Sequence, residues 1–234
     1  IIAAIVFILP HTIGTVIKSR SFETINEIKI GMIQPNISQS IKWDRSKVHE
    51  IQNKLFSLTQ DLFDRGAMLV FWPESSVPTL VSSGRNNSTI EGVRNIIPDD
   101  RALVAGLMYK ENDRYYNSAA MVDSTGIIDI YSKLQLVPIA ERVPLSGIFP
   151  ALSKMNIGAG SFSQGEGFKV LNYKGTAFGT MICFESIFPH LSSGFASSDA
   201  SFLVYLVNDG WYEKSPEPAQ HFNHSIVRAI ETRR

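Results

Sequence analysis

The chain has 234 residues, enough for one large domain with a substantial core. Hydrophobic residues make up 44% and charged residues 19%, a globular balance that excludes a disordered chain. Lys plus Arg is 22 and Asp plus Glu is 22, so the net charge is zero and the totals give no support to a nucleic-acid partner.

Residues 1–17 (IIAAIVFILPHTIGTVI) are apolar and uncharged, and Lys18 and Arg20 follow. A spanning helix needs about 20 apolar residues, and this stretch is shorter and contains Pro10 and His11. It reads as the tail of a membrane helix, with an apolar strand or helix of a soluble core as the alternative. The expected division is therefore residues 1–20 as that tail and its linker, and 21–234 as a catalytic domain truncated at its C-terminus. Residues 19–26 are a polar linker.

Residues 27–34 (EIKIGMIQ) alternate and predict a first strand, ended by Pro35-Asn36. Residues 43–62 place Val48, Ile51, Leu55, Leu58 and Leu62 at helical spacing, and Arg65-Gly66 stops that helix. Residues 67–72 form a short apolar strand that turns at Pro73-Glu74, and 84–88 read as a loop. Residues 101–109, 118–123 and 127–133 predict three strands. Residues 145–166 lack a period and predict a long loop. Residues 168–173 and 176–182 predict a hairpin, 201–207 a buried strand, and 218–234 a last helix. This alternation is that of an α/β domain, whose sites lie just beyond strand ends.

The sole cysteine, Cys183, stands where the apolar run 176–182 stops. Glu185 and Ser186 are expected to open a helix whose N-terminus would favour a reactive thiolate. A lone cysteine is more often a small buried apolar residue. One cysteine makes no internal disulfide. Of the five histidines only His221 and His224 lie close, so no zinc-type spacing is present and no metal is expected.

Two further strand ends carry chemistry. Glu74 follows Trp72-Pro73 and would be partly desolvated, which suits a general base; a helix cap or surface turn is the ordinary alternative. Lys133 precedes Leu134-Gln135-Leu136-Val137-Pro138 and could stabilise an oxyanion or snorkel to the surface. Glu141, between Pro138 and Pro144, could pair with Lys133, orient a substrate or pair with Arg142.

In combination these residues resemble the Glu-Lys-Cys triad of the nitrilase (carbon–nitrogen hydrolase) superfamily. The matching segments are Trp72-Pro73-Glu74, Tyr131 through Pro144, Gly165-Glu166-Gly167-Phe168, Met181 to Pro189, Asn208-Asp209-Gly210-Trp211 and Gln220-His221-Phe222, with Gln34 to Ile37 and Lys42-Trp43 upstream. Lys133 to Leu-Val-Pro and Gln220-His221-Phe222 point to the apolipoprotein N-acyltransferase family. That family usually has Phe-Gly-Glu-Tyr where Ile139-Ala140-Glu141-Arg142 stand, and often Tyr in place of Phe184.

The resemblance implies a nitrilase-like four-layer α-β-β-α sandwich. It implies Glu74 as base, Cys183 as nucleophile through a thioester, and Lys133 with the backbone N–H after Cys183 as oxyanion stabiliser. Glu141, Glu185, Phe184 and Trp211 would be supporting or substrate-binding residues. The implied partners are a phospholipid acyl donor, a lipid-modified apolipoprotein acceptor and a membrane, with no nucleic acid, metal or cofactor. The implied location is the bacterial inner membrane, with the catalytic domain on its outer face. A soluble amidase using the same triad with water as acceptor is the competing enzyme reading, and a non-enzymatic domain that kept the fold is the third.

Overall fold

Ala102–Glu111, ten residues with the first six fully buried, is the strand around which the rest is layered. A computed structural model of the chain describes residues 2–19, 27–82, 87–142, 161–212 and 214–234. Its elements run α1 (Ile2–Lys18), β1 (Ile30–Met32), α2 (Gln39–Lys42), α3 (Val48–Asp64), β2 (Leu69–Phe71), β3 (Leu80–Ser82), α4 (Ser88–Arg94) and β4 (Ala102–Glu111). Then follow β5 (Arg114–Asp123), β6 (Gly126–Ser132), β7 (Leu171–Tyr173), β8 (Thr176–Ile182), α5 (Pro189–Ser197), β9 (Phe202–Leu206) and α6 (Glu217–Thr232).

The first sheet has the order β1-β2-β4-β5-β6, with β3 also on β4. β1, β2 and β4 are parallel, and β4, β5 and β6 form an antiparallel meander. The second sheet pairs β7 with β8 antiparallel and β8 with β9 parallel. Side chains alternate across a strand, and the core divides accordingly. Val70, Trp72, Leu103, Ala105 and Val122 pack with Ile51, Leu55 and Phe63 of α3 and Val93 of α4. Their neighbours Leu69, Phe71, Val104, Ala119 and Met121 pack instead with Phe178, Met181 and Val204 of the second sheet. Phe71 meets Phe178 edge-on across that seam at 5.6 Å. Outside the second sheet, Leu191 and Phe195 of α5 close the core. The layers are helix, sheet, sheet, helix, the nitrilase-like sandwich expected.

Residues 2–18 are helical, and Ile2, Ile5, Val6, Phe7, Ile8, Leu9, Ile13 and Val16 of α1 are exposed. Among the described residues no helix is long and apolar enough to cross a membrane. The linker expected over 19–26 and the loop over 145–166 fall largely outside the described residues.

Three local expectations differ. The helix expected from Trp43 begins at Val48, because Asp44 caps a separate 3-10 turn at Arg45–Lys47. Ser88, expected in a loop, opens α4: the Asn87 side chain accepts the Thr89 N–H at 3.0 Å, which satisfies an otherwise unpaired helix donor. The helix expected at Glu185 is a 3-10 turn over Cys183–Ile187, and α5 starts at Pro189. Proline suits the first helical position and forces the residue before it, Phe188, to be extended.

Candidate active site

β8 delivers Cys183 to a tight elbow in which its φ is +50°, a left-handed conformation that a side chain resists. The elbow is tied from behind by Glu185, which is fully buried. One Glu185 carboxylate oxygen accepts the Ile182 N–H at 2.8 Å; the other accepts those of Leu134 at 2.6 Å and Gln135 at 3.1 Å. The Tyr131 hydroxyl donates to the same carboxylate at 2.9 Å. Burial pushes the Glu185 carboxyl up, and these donors oppose the shift. Glu185 thereby knots the cysteine elbow to the chain just after Lys133.

Glu74 lies in the turn after β2. Trp72 before it is fully buried and donates its Nε1–H to Thr59 at 2.8 Å, which fixes where the strand ends. The turn presses onto β4 at Gly106, where a Cβ would collide with the Pro73 carbonyl oxygen and stand 2.7 Å from the Glu74 Cα. Gly106→Ala is therefore expected to push the turn outward. The expected cost is about 1–3 kcal/mol of stability and a loss of turnover larger than that destabilisation explains, read by comparing melting temperature with kcat. Lys42, also buried, donates from Nζ to the Glu74 carbonyl at 3.2 Å; burial lowers its ammonium to about 8, against the pull of the Glu74 carboxylate.

Lys133 does not snorkel: it is 1% exposed. Its Nζ donates to Glu141 Oε1 at 2.9 Å and lies 3.6 Å from Glu74 Oε1. Burial alone would lower this ammonium, but Glu74, the Cys183 sulfur and Glu141 outweigh it and the net shift is upward. Asn117 of β5 donates from Nδ2 to Glu74 at 2.7 Å and to Glu141 at 3.0 Å, holding the two carboxylates on either side of the lysine. The second Glu141 oxygen accepts the Val137 N–H at 2.8 Å. Glu141 is thus the direct partner of Lys133, and Glu74 stays just outside hydrogen-bond range of it.

The sulfur completes the group. Burial pushes the Cys183 thiol up, the Glu74 carboxylate adds to that, and Lys133 and the Phe184 N–H oppose it. The helix N-terminus expected to favour the thiolate is not found at Cys183. The elbow opens a short 3-10 turn rather than an α-helix, and burial disfavours the charged form of the thiol.

A family model described as carbon-nitrogen hydrolase matches residues 29–234. The chain belongs to the carbon–nitrogen hydrolase family. Among curated relatives, it is 33% identical over 210 residues to the apolipoprotein N-acyltransferase of Geobacter metallireducens, covering 88% of this chain and 40% of that protein. It is 30% identical over 245 residues to the apolipoprotein N-acyltransferase of Pseudomonas putida, covering 100% and 46%. The chain thus spans less than half the length of these relatives. Among solved structures, Nit3 of Saccharomyces cerevisiae, a nitrilase superfamily member, superposes with TM-score 0.64 at 18% identity, over 91% of this chain and 75% of that one. A mutant of the amidase of Nesterenkonia sp. AN1, which shows Michael addition of acrylamide at its active-site cysteine, gives 0.62 at 18% identity over 88% and 75%. These two likenesses speak to fold.

In this carbon–nitrogen hydrolase the fold brings Glu74, Lys133, Glu141 and Cys183 together, with Glu185 behind them. Phe184 packs edge-on against Phe188 at 5.2 Å, and Trp211 is an exposed ring beside Trp43 at 5.9 Å; neither ring contact is with Glu74, Lys133, Glu141 or Cys183. A cavity of about 1020 Å³ between α4, β6 and residues 165–169 is lined by none of the four. Sequence reasoning missed Asn117 and Tyr131, whose partners lie 43 and 54 residues away. It also missed Gly106, although a glycine inside an apolar strand is itself a sign of close backbone approach.

Proposed function

We propose that the chain is the catalytic domain of an apolipoprotein N-acyltransferase, working through a Cys183 thioester. Glu74 takes the Sγ proton as the sulfur attacks the ester carbonyl of a phospholipid. Lys133 Nζ and the Phe184 N–H stabilise the tetrahedral oxyanion. Its collapse breaks the carbon–oxygen bond, and the proton held by Glu74 passes to the departing lysophospholipid oxygen. Glu74 next accepts a proton from the α-amine of a lipid-modified N-terminal cysteine. The amine nitrogen attacks the thioester, an amide forms, and sulfur leaves as the thiol when that proton returns.

The observation that carries the chemistry is the division of labour around Lys133. Glu141 takes the direct hydrogen bond from Lys133, which leaves the Glu74 carboxylate unclaimed by the ammonium and able to accept the thiol proton. Glu141 and Glu185 position the group; Phe184 and Trp211 offer apolar surface at its edge. The acyltransferase reading, over hydrolysis, is supported by relatives of that name at 30–33% identity along nearly the whole chain. The exposed apolar side chains of α1 fit a protein whose two substrates are held in a bilayer. On this reading residues 1–20 are the end of a membrane anchor and residues 21–234 lie on the outer face of the bacterial inner membrane.

The test is mass spectrometry of the Cys183 peptide after incubating the intact protein with phospholipid. An acyl mass on Cys183, discharged to amide by a diacylglyceryl-cysteine peptide, is the expected result. Discharge to free fatty acid at a rate indifferent to that peptide would make it a hydrolase. An unmodified Cys183 in an active preparation would reject the thioester.

A further inference from the structure

Helix α6 packs against the turn that carries Cys183. His221, in its second turn, is 6% exposed. Its Nδ1 lies 2.9 Å from Asp209 Oδ1 and its Nε2 lies 2.8 Å from the Cys183 carbonyl oxygen. A backbone carbonyl can only accept, and so can a carboxylate. The ring therefore satisfies both partners only with a proton on each nitrogen, as imidazolium. Its pKa is raised in agreement, by the Asp209 hydrogen bond first, against burial, with help from the Cys183 carbonyl and the Glu217 carboxylate. Seven residues on, and so on the same helix face, Arg228 donates from Nη1 to the Ile187 carbonyl at 3.2 Å.

The Cys183 carbonyl and the Phe184 N–H belong to one planar peptide unit and point in opposite directions. Whatever fixes the carbonyl fixes the N–H at the other end, and that N–H faces the sulfur. The elbow needs such a fix, because a positive φ at a residue with a side chain costs about 1–2 kcal/mol. The sulfur, an Asp209 oxygen and a His221 nitrogen also lie within 4.8 Å of one another. In this arrangement both ring nitrogens are engaged by acceptors, Asp209 and the Cys183 carbonyl.

We propose that Asp209 and His221 are positioning residues for the nucleophile: the imidazolium grips the Cys183 carbonyl and thereby aims the Phe184 N–H at the sulfur and the oxyanion. This rests on the reading of Cys183 as the nucleophile. It assigns the Gln220-His221-Phe222 segment a role that no local pattern revealed.

The test compares His221→Asn with His221→Gln in the intact protein. Asparagine places its amide near the Nδ1 position and keeps Asp209; glutamine reaches the Nε2 position and can donate to the carbonyl. The readouts are the rate of Cys183 alkylation by iodoacetamide, and kcat and KM for acyl transfer. Asparagine is expected to slow alkylation and kcat by about 10- to 100-fold, the range for losing a hydrogen bond from a charged donor, with KM little changed. Glutamine is expected to recover most of that loss. Equal rates in the two variants, or wild-type rates in both, would overturn the clamp. If either His221 variant fails to fold, Asp209→Asn takes its place: it should slow alkylation at least several-fold, and wild-type behaviour would overturn the clamp. A wild-type Cys183 that neither alkylates nor acylates would instead overturn the nucleophile reading, and the clamp with it, before any variant is compared.

Discussion

Lys133→Met is expected to abolish acyl transfer and to lower stability by about 3–5 kcal/mol, the usual result of stranding a buried charge. Glu74 and Glu141 both face this ammonium, and the lysine is almost wholly buried. Methionine fills the same volume, so the cost is electrostatic rather than a cavity. In urea it reads as a lower midpoint at unchanged slope. Adding Glu141→Gln removes one of the stranded charges and should return part of the stability. It should return no turnover, because the oxyanion still lacks its ammonium. An unchanged midpoint in the single variant would show that the carboxylates do not depend on Lys133.

Cys183→Ala is expected to lower turnover by about 10⁴-fold or more, since loss of a nucleophile removes the covalent route altogether. Its effect on stability should be small. The residue is only partly buried, and alanine suffers the same backbone strain at φ +50°. The pairing of these two variants separates roles: one residue holds up both fold and chemistry, the other chemistry alone. Residual activity within tenfold of wild type in Cys183→Ala would end the thioester mechanism.

The layered fold was legible because its strands announce themselves locally. β8 is an apolar run that stops at the only cysteine, and β4 to β6 are separated by polar turns. The elbow was misread for a physical reason. Glu185 and Ser186 look like the start of a helix, yet Pro189 sits at the true first position and Phe188 before it must stay extended. α4 was missed because Asn87 and Ser88 serve equally as loop residues and as caps. Glu74, Lys133 and Cys183 each had an ordinary reading and became persuasive only together. Asn117 and His221 could not be assigned, because a hydrogen bond spanning 43 or 38 residues leaves no trace in local pattern.

Glu74 and Lys133 hang from the ends of strands in one sheet, and Cys183 from the end of a strand in the other. The reacting group therefore belongs to neither half but to their registration, and it lasts only while side chains such as Phe71 and Phe178 keep the two leaves in step. A slip along that seam would leave each half intact and silence the enzyme, so bulk and shape at positions that never meet a substrate are, in effect, kinetic parameters.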